Sequence, residues 1–296
     1  MTVLSKKQII KMMLQSWVLL LLIFWSCNIG FDDTQKKVHY PKKVEWRELM
    51  RGLYYAEVEN PYHSKISDNI VTLIKADPSL LDINVYSNTS FDSIKRTAMC
   101  WSQDFNLNVV VNAGMYNLSN TYQAEGYLKS MNKLNNSNIK DNFRMFALFK
   151  PIDSLNNKPF DMLDAENESY EGVLDKYQSV FQSIRMIDCN GKQVVWKPRR
   201  TIFSSMCVLG IDKYHHLLIA FTRSPMSSNQ MSLLLLHLPI DIRSAMYLEG
   251  GPEACLYIKT ADTVIAKNGS YVSLTFPTDT NSRYWNLPNV IGIKAK

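Results

Sequence analysis

The chain is poor in the residues that several common chemistries need. Beyond Cys27 only Cys100, Cys189, Cys207 and Cys255 remain, and no two have the close spacing of a zinc or redox site. Cys207 and Cys255 lie inside apolar runs, where a thiol acts as a small buried hydrophobe. The five histidines include no pair at helix-metal spacing, so no dedicated zinc site is expected. His215 and His216 share a predicted hairpin tip, and His237 falls near the end of an apolar helix. There is no nucleophile elbow, P-loop or dinucleotide fingerprint, and no cofactor is expected from motif. No stripe of lysine and arginine interleaved with aromatics is present, which argues against nucleic acid as a partner. Internal repeats, low-complexity segments and regular strand-helix alternation are missing too.

What is present begins at the N-terminus. Lys6, Lys7 and Lys11 precede a short apolar run, residues 17–25, and Cys27 follows at once. A basic segment ahead of roughly ten apolar residues reads as an export signal, short for a membrane span. Cys27 stands where a lipid is attached after cleavage, although Phe24-Trp25-Ser26 is bulkier than the usual small residues before such a cysteine. Residues 1–27 are therefore expected to be a signal with lipid attachment at Cys27. An uncleaved anchor and plain secretion are the alternatives. Residues 28–43 read as a polar tether and 44–296 as one domain. Without the three N-terminal lysines the formal charge of +6 drops to +3, too weak to imply an acidic partner. Membrane attachment, if present, comes through the N-terminus. An exported, membrane-anchored lipoprotein at the periplasm or cell surface is the expected location.

The remaining chain of roughly 250 residues is long enough for a single large core. Apolar β-type runs predict strands at 44–59, on both sides of Asp77-Pro78-Ser79, at 107–111, 126–128, 145–149, 245–248 and 289–293. Hairpins are predicted around Asn190-Gly191 and around 213–216. A helix is predicted over 91–101 with Ser90 as its cap, and a clearer one over 227–238, capped by Ser227 or Ser228 and ended by Pro239. Residues 164–182 read as partly helical, and the stretch between the strands at 126–128 and 145–149 reads as surface loop. Strands outnumber helices, so the expected class is α+β: mixed, largely antiparallel sheets with packed helices in a single domain.

Two segments carry the chemistry. Asn112-Ala113-Gly114-Met115-Tyr116 and Leu248-Glu249-Gly250-Gly251-Pro252-Glu253-Ala254 each follow an apolar run and end in a glycine turn bearing polar side chains. A buried strand ending in such a turn holds a side chain at a fixed point on a sheet edge. Glu249 is the leading catalytic candidate; its competing role is to cap the turn or pair with an arginine. Asn112 could bind a sugar hydroxyl or phosphate oxygen, or only hold its own turn. Arg223, in Thr222-Arg223-Ser224-Pro225 before the second helix, suits an anion or a structural ion pair. Gly114, Gly250 and Gly251 would let backbone approach ligand closely. Tyr116 could stack on a sugar, and Glu125, Arg185, Ser224 and Glu253 complete the binding candidates. Asp188 is more at home as a turn residue.

Read in order, several segments resemble the phosphodiester glycosidase family. They are 110–116, Glu125-Gly126-Tyr127-Leu128, 142–151, 182–188, Asn190-Gly191, Leu209-Gly210-Ile211-Asp212, 221–225, 247–257 and 288–293. The resemblance implies an envelope glycoside hydrolase acting on a carbohydrate or sugar-phosphate, with a carboxyl group at the scissile bond. A divalent cation held by Glu249 and phosphate oxygens is conceivable. Two positions depart from the family pattern. Glu249 replaces its usual aspartate, moving the carboxylate by about 1.5 Å. Met206 stands where many members have arginine; Ser205, Arg200 or Arg223 would have to compensate. The alternative is a catalytically silent glycan-binding protein of the same fold.

Overall fold

The computed structural model describes residues 38–117, 120 and 122–296. The expectations for the signal, for Cys27 and for most of the tether lie outside them. Residues His39–Lys296 form one compact unit. Its start is docked: the Tyr40 ring stacks on His237 at 3.9 Å between centroids, and its hydroxyl meets that of Tyr62 at 2.9 Å. Among the described residues no helix is long and apolar enough to cross a membrane.

Seventeen strands form three sheets among the described residues. The first sheet has seven strands. They are β1 (Arg47–Met50), β2 (Leu53–Glu59), β3 (Ile70–Ala76), β11 (Arg185–Ile187), β12 (Ser204–Asp212), β13 (Leu217–Met226) and β14 (Ile242–Gly250), ordered β1-β2-β3-β13-β12-β14-β11. The second contains β6 (Leu128–Ser130), β7 (Lys133–Asn136), β8 (Met145–Pro151), β9 (Phe160–Asp164) and β10 (Tyr177–Ser183), ordered β7-β6-β10-β8-β9. The third contains β4 (Leu81–Ser87), β5 (Val109–Asn112), β15 (Cys255–Lys259), β16 (Val264–Asn268) and β17 (Asn289–Ala295), ordered β16-β15-β5-β17-β4. Every strand pair described is antiparallel.

The inner faces of all three sheets meet in one core that includes Ile74, Leu209, Val111, Ile291, Met145 and Phe181. Each outer face has its own cover. Helix α2 (Ser228–His237) packs Met231, Leu234 and Leu235 on the first sheet. Helix α1 (Ala98–Phe105) packs Ala98 and Trp101 on the third. Leu174 and the partly buried Tyr170 and Val173 cover the second. Burial on both faces is why β12 is buried at every residue and reads as an unbroken apolar run.

The α+β expectation holds only for the sheets. Two helices of eight and ten residues are the only α-helices described, so this is a sheet-dominated antiparallel domain. Residues 164–182 are not helical: β9 ends at Asp164, a single 3-10 turn covers Leu174–Lys176, and β10 follows. The helix predicted over 91–101 is displaced to Ala98–Phe105, because Thr97, not Ser90, accepts from the Cys100 N–H. The supposed loop after β6 contains β7. For α2 the cap is Ser227, whose hydroxyl accepts from the Gln230 N–H while the Gln230 side chain accepts from the Ser227 N–H. Cys100, Cys189, Cys207 and Cys255 are free thiols, the last two buried.

Candidate active site

The two glycine-bearing segments start on different sheets and converge. β14 leaves the first sheet at Gly250, a 3-10 turn carries Gly251–Glu253, and β15 then enters the third sheet beside β5. This crossover brings the turn against the end of β5. Asn112 fixes the junction: its Oδ1 accepts the Cys255 N–H at 3.1 Å, and its Nδ2 is buried with no partner among the described residues. Four residues on from Asn112, the Tyr116 hydroxyl donates to Glu253 Oε1 at 3.0 Å.

The glycines act through space and backbone angle. A Cβ on Gly250 would strike the Tyr247 hydroxyl and the Ser205 carbonyl. Gly251 has φ of 67°, a left-handed angle, and a Cβ there would run into Val272. Gly114, also left-handed at φ of 65°, turns the chain from β5 toward Tyr116.

Glu249 lies two residues before this turn, opposite Cys207 in the β12–β14 register. Its Oε1 accepts only the N–H of Gly250 at 3.0 Å, and no cation pairs with it among the described residues. Burial, opposed by that N–H and reinforced by the charge of Glu253, pushes its carboxyl up to about 8. Burial also raises Glu253, while its own backbone N–H and the Tyr116 hydroxyl favour its anion. The charge of Glu253 helps hold the proton on Glu249, so the first charge of the pair sits on Glu253. Burial and both carboxylates push the Tyr116 phenol upward, keeping it a donor. The neighbouring Tyr247 phenol is raised by burial and by Glu249. Both carboxyls are raised, and the charge of Glu253 lifts Glu249 further, a pattern that separates an acid from a base.

A cleft of about 870 Å³ is lined in part by Tyr116. Lys95 and Thr97 ahead of α1 form one wall, and Arg283, Tyr284 and Trp285 another. These residues were not singled out in the sequence. The run Arg283-Tyr284-Trp285 is a usable signal, two aromatics beside a cation in an otherwise polar stretch.

The other sequence candidates are placed elsewhere or already engaged. Arg223 donates to the carbonyls of Asn268 (2.7 Å) and Asn281 (2.9 Å) and pairs with Asp279 at 2.9 Å, stapling the segment after β16. Ser224 is buried and accepts the Asn69 N–H at 2.8 Å. Arg185 grips buried Asp164 with one nitrogen at 2.8 and 3.0 Å. Glu125 pairs with Lys140 at 2.6 Å, and its N–H bonds the Met115 carbonyl at 2.8 Å, so it braces the Tyr116 loop. Asp188 accepts from the N–H groups of Asn190 and Lys192 in its turn. Arg200 is exposed. Met206 is buried among apolar side chains of the α2 face, and Ser205 bonds the Arg223 carbonyl at 2.6 Å. No group of three or more His, Cys, Asp or Glu that could hold a metal gathers among the described residues.

The sequence profile of the phosphodiester glycosidase family matches residues 105–294. Among curated proteins no sequence relative is found. Among solved structures, the fold is similar to the catalytic domain of zebrafish N-acetylglucosamine-1-phosphodiester alpha-N-acetylglucosaminidase, auto-inhibited by its pro-peptide. The TM-score is 0.61 at 13% identity, over 87% of each chain. It is also similar to a hypothetical protein from Synechocystis, with TM-score 0.55 and 10% identity, covering 86% of this chain and 64% of that one. At such identities the likeness concerns the fold.

Proposed function

Because the chain belongs to the phosphodiester glycosidase family, we propose that it is a hydrolase cleaving a sugar from a sugar-1-phosphodiester or related surface glycan. The observation that carries this is the meeting of Glu249, Glu253 and Tyr116 where β14 crosses into β15. Glycoside cleavage passes through an oxocarbenium-like state served by two carboxyl groups. Protonated Glu249 gives its proton to the departing oxygen as the bond to the anomeric carbon breaks. Water supplies the new hydroxyl, and ionised Glu253, oriented by Tyr116, accepts its proton. A phosphate leaving group needs less protonation and more charge stabilisation. The test is hydrolysis of N-acetylglucosamine-1-phosphodiesters by purified protein, with Glu249→Gln as the probe. Unaltered turnover in that variant overturns the assignment.

A silent glycan-binding reading is favoured by one observation. Met206 lies in an apolar cluster, and among the described residues no cation pairs with either carboxylate. Glycan binding without turnover would select it. The proposal also places the protein in the cell envelope, held through lipid on Cys27, on the strength of Lys6, Lys7, Lys11 and the apolar run after them. A Cys27→Ala chain that stays in the membrane fraction would instead point to an uncleaved anchor.

A further inference from the structure

We propose that residues 197–203 and 272–276 form one face that docks on an anionic lipid bilayer. The inference does not depend on the carboxylate reading or on lipid at Cys27.

Two stretches distant in the chain meet here. The Phe203 N–H donates to the Ser273 hydroxyl at 3.0 Å, and the Ser273 N–H donates to the Phe203 carbonyl at 2.9 Å. The second stretch is a tight turn, closed by the Phe276 N–H on the Val272 carbonyl at 2.9 Å, with Leu274 at its tip. The first is pinned again ahead of Lys197. There the Trp196 N–H donates to Asn229 Oδ1, and Asn229 Nδ2 donates to the Trp196 carbonyl, both at 2.9 Å. Residues 197–203 thus span two fixed points without helix or strand of their own. The tips are apolar and in water: Ile202, Phe203 and Leu274 are 48%, 37% and 63% exposed. Leu274 has φ of 81°, a left-handed angle that a bulky side chain rarely takes. A leucine held in water against backbone preference gains nothing from the fold itself. The charge beside these tips has one sign. Lys197, Arg199 and Arg200 are exposed, and none makes an ion pair among the described residues. No Asp or Glu occurs between Asp188 and Asp212, or between Asp262 and Asp279. An ordinary solvated face mixes both signs. Uncompensated cations flanking apolar tips are instead the composition of a segment lying among anionic lipid headgroups. Three apolar side chains are too few for the core of a stable protein interface. The face lies beside the turn that carries Glu253, because Val272 sits where a Cβ on Gly251 would reach.

The experiment is amide hydrogen exchange on the full chain with vesicles of phosphatidylcholine alone, or with about 30% phosphatidylglycerol added to supply negative charge. Amides of 197–203 and 272–276 should exchange roughly tenfold more slowly with the anionic vesicles, because docking shields their backbone from water. About 0.5 M salt should remove the difference. Amides of 213–216 follow the far end of β12 and should not change. Arg199→Glu combined with Arg200→Glu should abolish the slowing. Leu274→Asn should weaken it, and asparagine accepts a left-handed angle, so the melting temperature should be equal or higher. Unchanged exchange at 213–216 in each variant shows that the fold is kept. Equal exchange with neutral and anionic vesicles overturns the proposal, whatever else holds the chain to the membrane. Slowing that survives the double arginine variant, or that extends equally to 213–216, overturns it too. Hydrolysis is not read in this experiment, so its failure leaves the catalytic reading standing. Unaltered turnover in Glu249→Gln would remove the catalytic reading and leave this face untouched.

Discussion

At the scale of single residues, Glu249 trades stability for reactivity. Its carboxyl is pushed from an ordinary 4.5 to about 8 in the fold. Below 4.5 both folded and unfolded chains hold the proton, so Glu249 is neutral in the balance. Between 4.5 and about 8 the unfolded chain releases it and the folded chain does not. The folded state then binds more protons, and stability falls as pH rises through that window. Glu249→Gln removes this penalty. It should raise unfolding free energy by a few kcal/mol, to order of magnitude, at pH 8 to 9 and by little at pH 4. Denaturant titrations at the two pH values check this. The same variant should lose at least about a hundredfold in kcat/KM, the usual size of a missing general acid. A residue that stabilised the turn would give the reverse pattern, with stability lost and rate kept.

At the scale of elements, the site depends on how closely β12, β14 and the Gly250–Glu253 turn approach. Gly250→Ala forces its Cβ onto the Ser205 carbonyl and the Tyr247 hydroxyl. Overpacking of this kind costs about 1–3 kcal/mol and should also displace Glu249, lowering kcat more than it raises KM. By contrast Ser227→Ala removes only the α2 cap. It should cost about 1 kcal/mol with hydrolysis retained, as thermal melting and rate assays on the same sample would show. The α2 cap was legible from Ser227 and Pro239, because capping is local. So was the β12–β13 hairpin, from its two apolar runs. The helix at Ala98–Phe105 was misplaced because Ser90 offers a cap as local as that of Thr97, and only packing of Trp101 on β5 and β17 chooses between them. Strand β10 was mistaken for helix because its polar residues, including Gln182 and Ser183, are buried by contacts from other elements. Single-sequence patterns carry no such information.

For the whole molecule, three sheets around one core put β5 and β14 in different sheets, and four residues, 251–254, carry the chain from β14 into β15 beside β5. That the two glycine turns meet was legible from their matching patterns, and Glu253 lies beside them. What escaped the sequence was assembled by topology. Tyr247 meets Gly250 only because β14 bulges opposite Cys207 and Val208. The cleft joins residues 95–99 to 283–288 across the third sheet. Arg223 went the other way: its strand end suggested an anion site, but Asn268 at the end of β16 and the chain that follows it fold back to engage both terminal nitrogens. The measurement that bears most directly on the account is the pH dependence of kcat/KM on an N-acetylglucosamine-1-phosphodiester. With Glu249 as the proton donor, rate should hold to about pH 8, then fall about tenfold per unit. Glu249→Gln should be far slower and lack that fall. A profile that stays flat to pH 10, or a glutamine variant with the same limb and full rate, would contradict it.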